Sequence, residues 1–399
     1  MLAALRSQVR LRPIVAGVAT GLAVGGGYWT ARCQAQGAVG RWTWPADAAK
    51  SVPVALIKVK VASYNILSDS LCRPDQFTHC AAEDIDNVAR LEKIKARLVL
   101  QMEAKKVICL QEVSRAWASE LAPLFEKYGY NHMDGLSGSG FSGYMGCTLA
   151  WPIEDYSCEN ISVKRVADIV DWPRSQEKRA WTPERPPFDA RKEALKRHNC
   201  VVIARLQSRD TGRSFCVACY HMPCLFGTDE KCQTMVLHAS WLMQYAQRWA
   251  DGAPLIVAGD FNIQPGDPTY NLIADGRLSA DHPQYPKPAP PEASEQEAAW
   301  TPGAEPMRSA YAVNHAATST AKAGGGSSPR EVEPEFTNYA WTPWGGTQFC
   351  ETLDYIWLSP EWHVDDVVDL PSRSELTVES FPSQDEPSDH MLIGATLSL

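Results

Sequence analysis

Positive charge is in deficit: 38 lysines and arginines face 47 aspartates and glutamates, for a formal net charge of −9. That excludes a surface acting as a general trap for nucleic acid, so any grip on phosphates has to be local. No internal repeat runs through the 399 residues, so a stacked array of like units is not expected. Acidic residues are missing altogether before Asp47, while Arg6, Arg10, Arg12 and Arg32 flank an apolar stretch from Ile14 to Ala31. An acid-free, arginine-rich leader of this kind reads as a mitochondrial presequence or membrane anchor, with a secretory-pathway membrane as the alternative. Gly17, Gly21 and Gly25, four residues apart, would let such a helix approach a neighbour closely. Residues 1–50 are assigned to targeting or anchoring plus a linker, with membrane association expected through residues 14–31.

The twelve cysteines lack the placement of a disulfide framework. Cys109, Cys147, Cys216 and Cys219 fall inside short apolar runs, where a free thiol behaves as a small hydrophobe. A chain this long also builds a core without covalent staples. Cys216-x-x-Cys219 with His221 and Cys224 invites a zinc reading. Phe215–Tyr220 reads as a strand, however, and residues three apart on a strand face opposite sides, so the sulfurs are not expected to converge.

What is present is the composition of a globular protein, 45% hydrophobic and 21% charged. From Val52 onward apolar runs alternate with helical spacing, the pattern of one α/β domain over residues 51–399. Strands are predicted at Val54–Ser63, Lys106–Glu112, Cys147–Trp151, Cys200–Gln207, Ser214–His221, Pro254–Gly259, Thr352–Leu358 and Met391–Leu399. A helix is predicted from Asp84 on the spacing of Ile85, Val88, Leu91, Ile94 and Leu98, with others at Ala116–Tyr128 and Gln233–Trp249. Irregular insertions are expected near 156–199 and 279–335, where prolines and polar or small residues concentrate. Thirteen Lys/Arg stand against seven Asp/Glu between Lys164 and Arg213, Arg191, Lys192, Lys196 and Arg197 among them. That cluster is either a solvated, salt-bridged surface or a strip that steers a polyanion.

The informative feature is where acids, amides and imidazoles fall. Apolar strands end again and again in one polar residue: Asn65, Glu112, His221, then Asp260 and Asn262. Asp354 opens a strand, and Asp389 and His390 precede the last one. Strand ends are where sheet enzymes build a ligand crevice. A single such residue is normally a turn or a cap, but a whole series of them is not. Carboxylate and amide oxygens without clustered thiolates suit magnesium or manganese. With a base at Asp260 and imidazole donors at His221 and His390, the chemistry is phosphoryl transfer to water.

At these residues the chain resembles the endonuclease–exonuclease–phosphatase superfamily. The matching segments are Ser63-Tyr64-Asn65, Cys109-Leu110-Gln111-Glu112-Val113, Gly259-Asp260-Phe261-Asn262, Thr352-Leu353-Asp354-Tyr355-Ile356 and Ser388-Asp389-His390, in the family's order. The resemblance implies a deoxyribonuclease-I-like α/β fold, a four-layer sandwich of two packed mixed β-sheets flanked by helices. It implies metal-side roles for Asn65, Glu112 and Asp389. Asp260 would activate the nucleophile, Asn262 would help hold the phosphate and His221 would contact it, with His390 as the catalytic histidine oriented by Asp354. Phe336-Thr337-Asn338-Tyr339, Tyr144-Met145-Gly146-Cys147 and Arg197-His198-Asn199 are similar to the nocturnin, Angel and catabolite-repressor deadenylase branch. That branch implies substrate contacts at Phe349, stacking on a base, and at Asn199 and Tyr144. The expected activity is magnesium-dependent hydrolysis of single-stranded RNA or an oligonucleotide from its 3′ end, of the poly(A) or 2′,5′ type. The alternatives are a phosphatase or phosphodiesterase for a nucleotide, phosphoinositide or sphingolipid headgroup, and a non-catalytic RNA-binding module. No protein partner is implied.

Overall fold

A strand covered on both faces reads as an unbroken apolar run, and most such runs in this chain become buried strands. The computed structural model describes residues 56–170, 188–286, 300–318, 328–342 and 346–399. Its strands are β1 (Lys58–Asn65), β2 (Val107–Val113), β3 (Tyr130–Leu136), β4 (Gly146–Pro152), β5 (Tyr156–Arg165), β6 (Cys200–Ser208), β7 (Ser214–His221), β8 (Leu255–Asp260), β9 (Arg308–Ser309), β10 (Asn338–Thr342), β11 (Thr347–Glu351), β12 (Asp354–Leu358), β13 (His363–Val367) and β14 (Ile393–Ser398). The helices are α1 (Asn87–Glu103), α2 (Arg115–Lys127), α3 (Ala190–Lys196), α4 (Asp229–Ala250), α5 (Pro268–Asp275), α6 (Ala310–Thr318) and α7 (Pro329–Val332). The expected leader and its apolar stretch lie outside the described residues. Among those described, no helix is long and apolar enough to cross a membrane.

Two six-stranded sheets form, in the orders β13-β14-β1-β2-β4-β3 and β5-β6-β7-β8-β12-β9, with β10-β11 a separate ribbon. Alternation along each strand sorts its side chains into layers. Val59, Val61, Val107 and Cys109 meet Val217, Cys219, Ile256 and Ala258 between the sheets. Tyr64, Ile108 and Leu110 face the other way, against Leu91, Ile94 and Leu98 of α1 and Trp117 and Leu121 of α2. Cys216, Ala218 and Tyr220 pack on α4 and α5. The result is the expected sandwich of helix, sheet, sheet and helix. Cys216 and Cys219 fall in different layers, as the strand alternation requires, and the described cysteines are all free.

Several local expectations give way to the structure. α1 begins at Asn87, not near Asp84, because the Asp86 side chain accepts from Ala89 N–H at 2.8 Å and caps it there. Val88 consequently points to solvent, 74% exposed. The stretch expected to be irregular from residue 156 opens with the ten-residue strand β5, whose polar outer positions hid it. Part of the 279–335 stretch is also regular, forming β9, α6 and α7. Among the described residues, five members of the basic cluster have an acidic partner nearby: Lys192 pairs with Asp189, Lys196 and Arg197 with Glu193, Arg165 with Asp168, and Arg205 with Glu159. That described part is a salt-bridged surface.

Topology gathers the strand ends. β1 and β2 run parallel, as do β7 and β8, so each pair ends at one edge: Asn65 beside Gln111, and His221 beside Asp260. β12 runs antiparallel to β8 and starts where β8 stops, placing Asp354 opposite Asp260. Gly259 permits the close pairing of β8 with β7, since a Cβ there would sit 1.8 Å from the Tyr220 carbonyl oxygen.

One buried carboxyl outside this edge makes the fold pH-sensitive. Glu333 accepts from the Tyr270 hydroxyl at 2.7 Å and the Ser309 hydroxyl at 2.9 Å. Burial pushes its pKa from 4.5 to about 7, against the pull of those two donors. Below pH 4.5 the group is neutral folded and unfolded alike. As pH rises towards 7 the unfolded chain ionises first, and stability falls by of the order of 3 kcal/mol. Glu333→Gln lacks this titration. Urea unfolding at pH 5 and 8 should show wild type losing stability relative to the variant at the higher pH, whereas a constant difference would contradict the assignment.

Candidate active site

Glu112 reaches the cleft through a backbone irregularity. The register between β2 and β4 shifts between Leu110 and Val113, and Glu112 itself adopts φ 58°. Such a bulge re-aims a side chain that strict alternation would bury. Leu67 and Asn262 share the left-handed conformation, so three of the six non-glycine positive-φ residues described lie at this site. Each costs about 1–3 kcal/mol and persists only where its surroundings over-determine it.

Around that backbone the side chains converge. Glu112, His221 and Asp260 bring ligand atoms within 4.8 Å of one another, and Asp260, Asp354 and His390 do the same. His221 Nε2 lies 3.4 Å from Asp260 Oδ2 and 4.0 Å from Glu112 Oε1. Asn65 donates through Nδ2 to Asp260 Oδ2 at 2.9 Å and to Glu112 Oε1 at 3.2 Å. Its oxygen is taken by Leu67 N–H at 3.0 Å, so Asn65 presents its amide nitrogen to the two acids. Asn262 donates its backbone N–H to Asp260 Oδ1 at 2.9 Å, and its amide nitrogen lies 3.2 Å from His221 Nε2.

His390 forms the other wall. Its Nδ1 lies 2.8 Å from Asp354 Oδ2, and its Nε2 is 3.6 Å from Asp260 Oδ2. Burial alone would depress its pKa, but Asp354, Asp260 and Asp389 around it hold the imidazole well above its usual range. His390 Nδ1 thus faces a carboxylate that favours the protonated form of the ring. Burial raises the Asp260 pKa, helped by Asp354 and opposed by His390, His221 and Asn65. Burial likewise raises Asp389, with Glu112 adding to the shift and His390 opposing it. Asp389 accepts from Asn338 Nδ2 at 3.3 Å.

The expected substrate contacts lie around this core in different ways. Phe349 sits half-buried on β11 opposite Ala340 of β10, the strand whose Asn338 bridges His390. Asn199 donates its amide to the His221 carbonyl at 2.8 Å and so braces the end of β7. Tyr144 is 45% exposed on the β3–β4 loop.

Other contributors were not singled out from the sequence. Ser68 N–H donates to Glu112 Oε2 at 3.1 Å. Thr337 Oγ1 donates to Asp354 Oδ2 at 2.6 Å and accepts the backbone N–H of Leu353 and Asp354. Arg90, fully buried on α1, donates to the carbonyls of Ile66, Leu67 and Pro387. Thr337 lies within the matching segment Phe336–Tyr339, and Arg90 stands one helical turn before Ile94 on an otherwise apolar stripe, so each carried a signal.

A profile of the Endonuclease/Exonuclease/phosphatase family matches residues 62–390. Human 2′,5′-phosphodiesterase 12 is 25% identical over 357 residues, covering 84% of this chain and 51% of that protein. The CCR4-Not complex 3′-5′-exoribonuclease subunit Ccr4 of Neosartorya fischeri is 25% identical over 391 residues, covering 86% and 47% respectively. The chain thus spans about half the length of these relatives. Among solved structures ANGEL2, described as a 2′,3′-cyclic phosphatase, aligns with a TM-score of 0.62 at 20% identity, over 86% of this chain and 96% of that one. At that identity the likeness establishes the fold.

Proposed function

The chain belongs to the Endonuclease/Exonuclease/phosphatase family, and from that premise we propose that it is a magnesium-dependent phosphodiesterase hydrolysing RNA from the 3′ end. The carrying observation is the convergence of Glu112, His221 and Asp260 beside the His390–Asp354 pair. Relatives named as a 2′,5′-phosphodiesterase and a 3′-5′-exoribonuclease support an oligonucleotide substrate. Glu112 and Asp389, each within the other's electrostatic reach, offer carboxylate oxygens and no thiolate, a set that fits magnesium, or manganese in its place. Glu112 and Asp389 would hold it, with Asn65 orienting Glu112. The bound ion would neutralise charge on a phosphoryl oxygen and acidify water.

The remaining steps fall to the chain's own residues. Asp260 takes the proton of the attacking water, and its hydrogen bonds from Asn65 and Asn262 fix the direction of its oxygens. Asn262 and His221 bind the scissile phosphate through N–H groups aimed at its non-bridging oxygens. His390, oriented by Asp354 at 2.8 Å, supplies a further donor where negative charge builds. Phe349 stacks on a base, and the exposed Tyr144 ring flanks the strand.

The test is degradation of 5′-labelled oligo(A), oligo(U) and 2′,5′-oligo(A) by the full chain with magnesium or with EDTA. A magnesium-dependent ladder is expected, and the relative rates rank base and linkage. Cleavage that survives EDTA would refute the metal requirement. Intact strands throughout would move the reading to a phosphorylated nucleotide or lipid headgroup.

A further inference from the structure

Two exposed aromatic rings stand on the loop between β3 and β4: Phe141, 66% exposed, and Tyr144, 45% exposed. Each has an arginine over its face. Arg73 lies 5.5 Å from the Phe141 ring centre, and Arg115 lies 4.6 Å from that of Tyr144. The loop is tied to the Glu112 side of the active site. Ser68 Oγ donates to the Ser142 carbonyl at 3.1 Å, while the backbone N–H of the same serine donates to Glu112. Arg115, three residues beyond Glu112, donates its own N–H to the Gly143 carbonyl at 3.0 Å. Tyr144 is held at φ 56° with its N–H on the Ser139 carbonyl at 2.8 Å, so the backbone fixes where the ring stands.

The two pairs differ in charge. Arg73 is partly neutralised by Asp75 at 3.3 Å. Arg115 is exposed and has no ion pair among the described residues, in contrast to Lys192 and Lys196 on α3 and Arg197 just after it. An unpaired guanidinium beside an exposed ring, on a loop that also braces an acid of the site, complements a phosphodiester flanked by a base. Guanidinium over an aromatic ring keeps its N–H edge free for phosphate oxygens.

We propose that Arg115 and Tyr144, with Arg73 and Phe141 further out, form a nucleotide subsite that holds single-stranded nucleic acid beyond the scissile phosphate. The proposal rests on the phosphodiesterase reading and adds to it a preference for strand length. Arg115 takes a backbone phosphate, and the rings stack on neighbouring bases.

The experiment compares kcat/KM on a ten-nucleotide strand with that on a dinucleotide, together with equilibrium binding of the ten-nucleotide strand in EDTA. In Arg115→Ala and Tyr144→Ala the ratio of the two kcat/KM values should fall about tenfold, mainly through KM of the longer strand. Binding should weaken to match. Lys127→Ala, which removes a cation from the Tyr128 face at the other end of α2, should leave the ratio at its wild-type value. Thermal melts establish that each variant is folded. An unchanged ratio and unchanged binding in both site variants would overturn the subsite while leaving hydrolysis intact. A wild type that binds without cleaving, with binding lost in the variants, would keep the subsite and sink the hydrolase reading. A wild type that neither binds nor cleaves would end both.

Discussion

Asp260→Asn should lower kcat by at least about a thousandfold while leaving the protein as stable as wild type or more so. The two halves of this expectation have one cause. Asp260 is 1% exposed, and burial already raises its pKa, so its charge is held at a cost to the fold. That cost is tolerated because two imidazoles, the Asn65 amide and the Asn262 N–H all face the carboxylate. An amide of the same shape removes the buried charge and the proton acceptor together. It also turns an N–H towards either Asn65 or Asn262, so one donor loses its acceptor and the gain in stability stays small. Rates measured with saturating magnesium, beside a urea melt of each protein, separate the two effects. A variant retaining more than a tenth of the wild-type rate would remove Asp260 from the chemistry. One that lost activity by unfolding would show it in the melt.

Much of the site was legible because an isolated polar residue at the end of an apolar run leaves a clear mark in sequence. Asn65, His221 and Asp260 stand out for that reason; parallel pairing sets His221 beside Asp260, and the packing of the two sheets brings Asn65 to them. Glu112 was legible as a residue, but the bulge that aims it is not, since a one-residue register shift leaves the composition of a strand unchanged. The supporting contacts hid in ordinary residues. A buried serine N–H at Ser68 or a hydroxyl at Thr337 acts through position alone, and nothing in its type predicts a carboxylate partner 44 or 17 residues away. β5 was lost for the opposite reason: its outer face is polar and partly exposed, so it lacked the unbroken apolar run that marked the covered strands. The charge count from Lys164 to Arg213 gives a basic excess, but at α3 Asp189 and Glu193 pair with Lys192, Lys196 and Arg197, which a count cannot see.

Arg90→Met should be the most destabilising substitution near the site, by roughly 3–5 kcal/mol, although Arg90 touches no reacting atom in this scheme. Its guanidinium donates to Ile66 and Leu67 on the segment following Asn65, to Pro387 just before Asp389, and to Asn87. It lies 5.1 Å from the Trp117 ring centre. One planar fork therefore joins the segment after Asn65 to the segment before Asp389, the second of which carries a proposed metal holder. α1 repeats the pattern along one face, with Lys93 donating to the Ser383 carbonyl and Arg97 paired with Glu386. Methionine fills a similar volume but leaves three buried carbonyls without donors. Arg90→Lys restores a charge without the fork, and its single ammonium cannot span both segments. If Arg90 positions the metal side, the lysine protein should fold yet need several-fold more magnesium for half-maximal rate, with kcat recovering at saturation. If Arg90 serves the core alone, the lysine protein will lose stability while its magnesium titration overlays that of wild type. The magnesium midpoint therefore decides the role, because a core defect has no reason to move it.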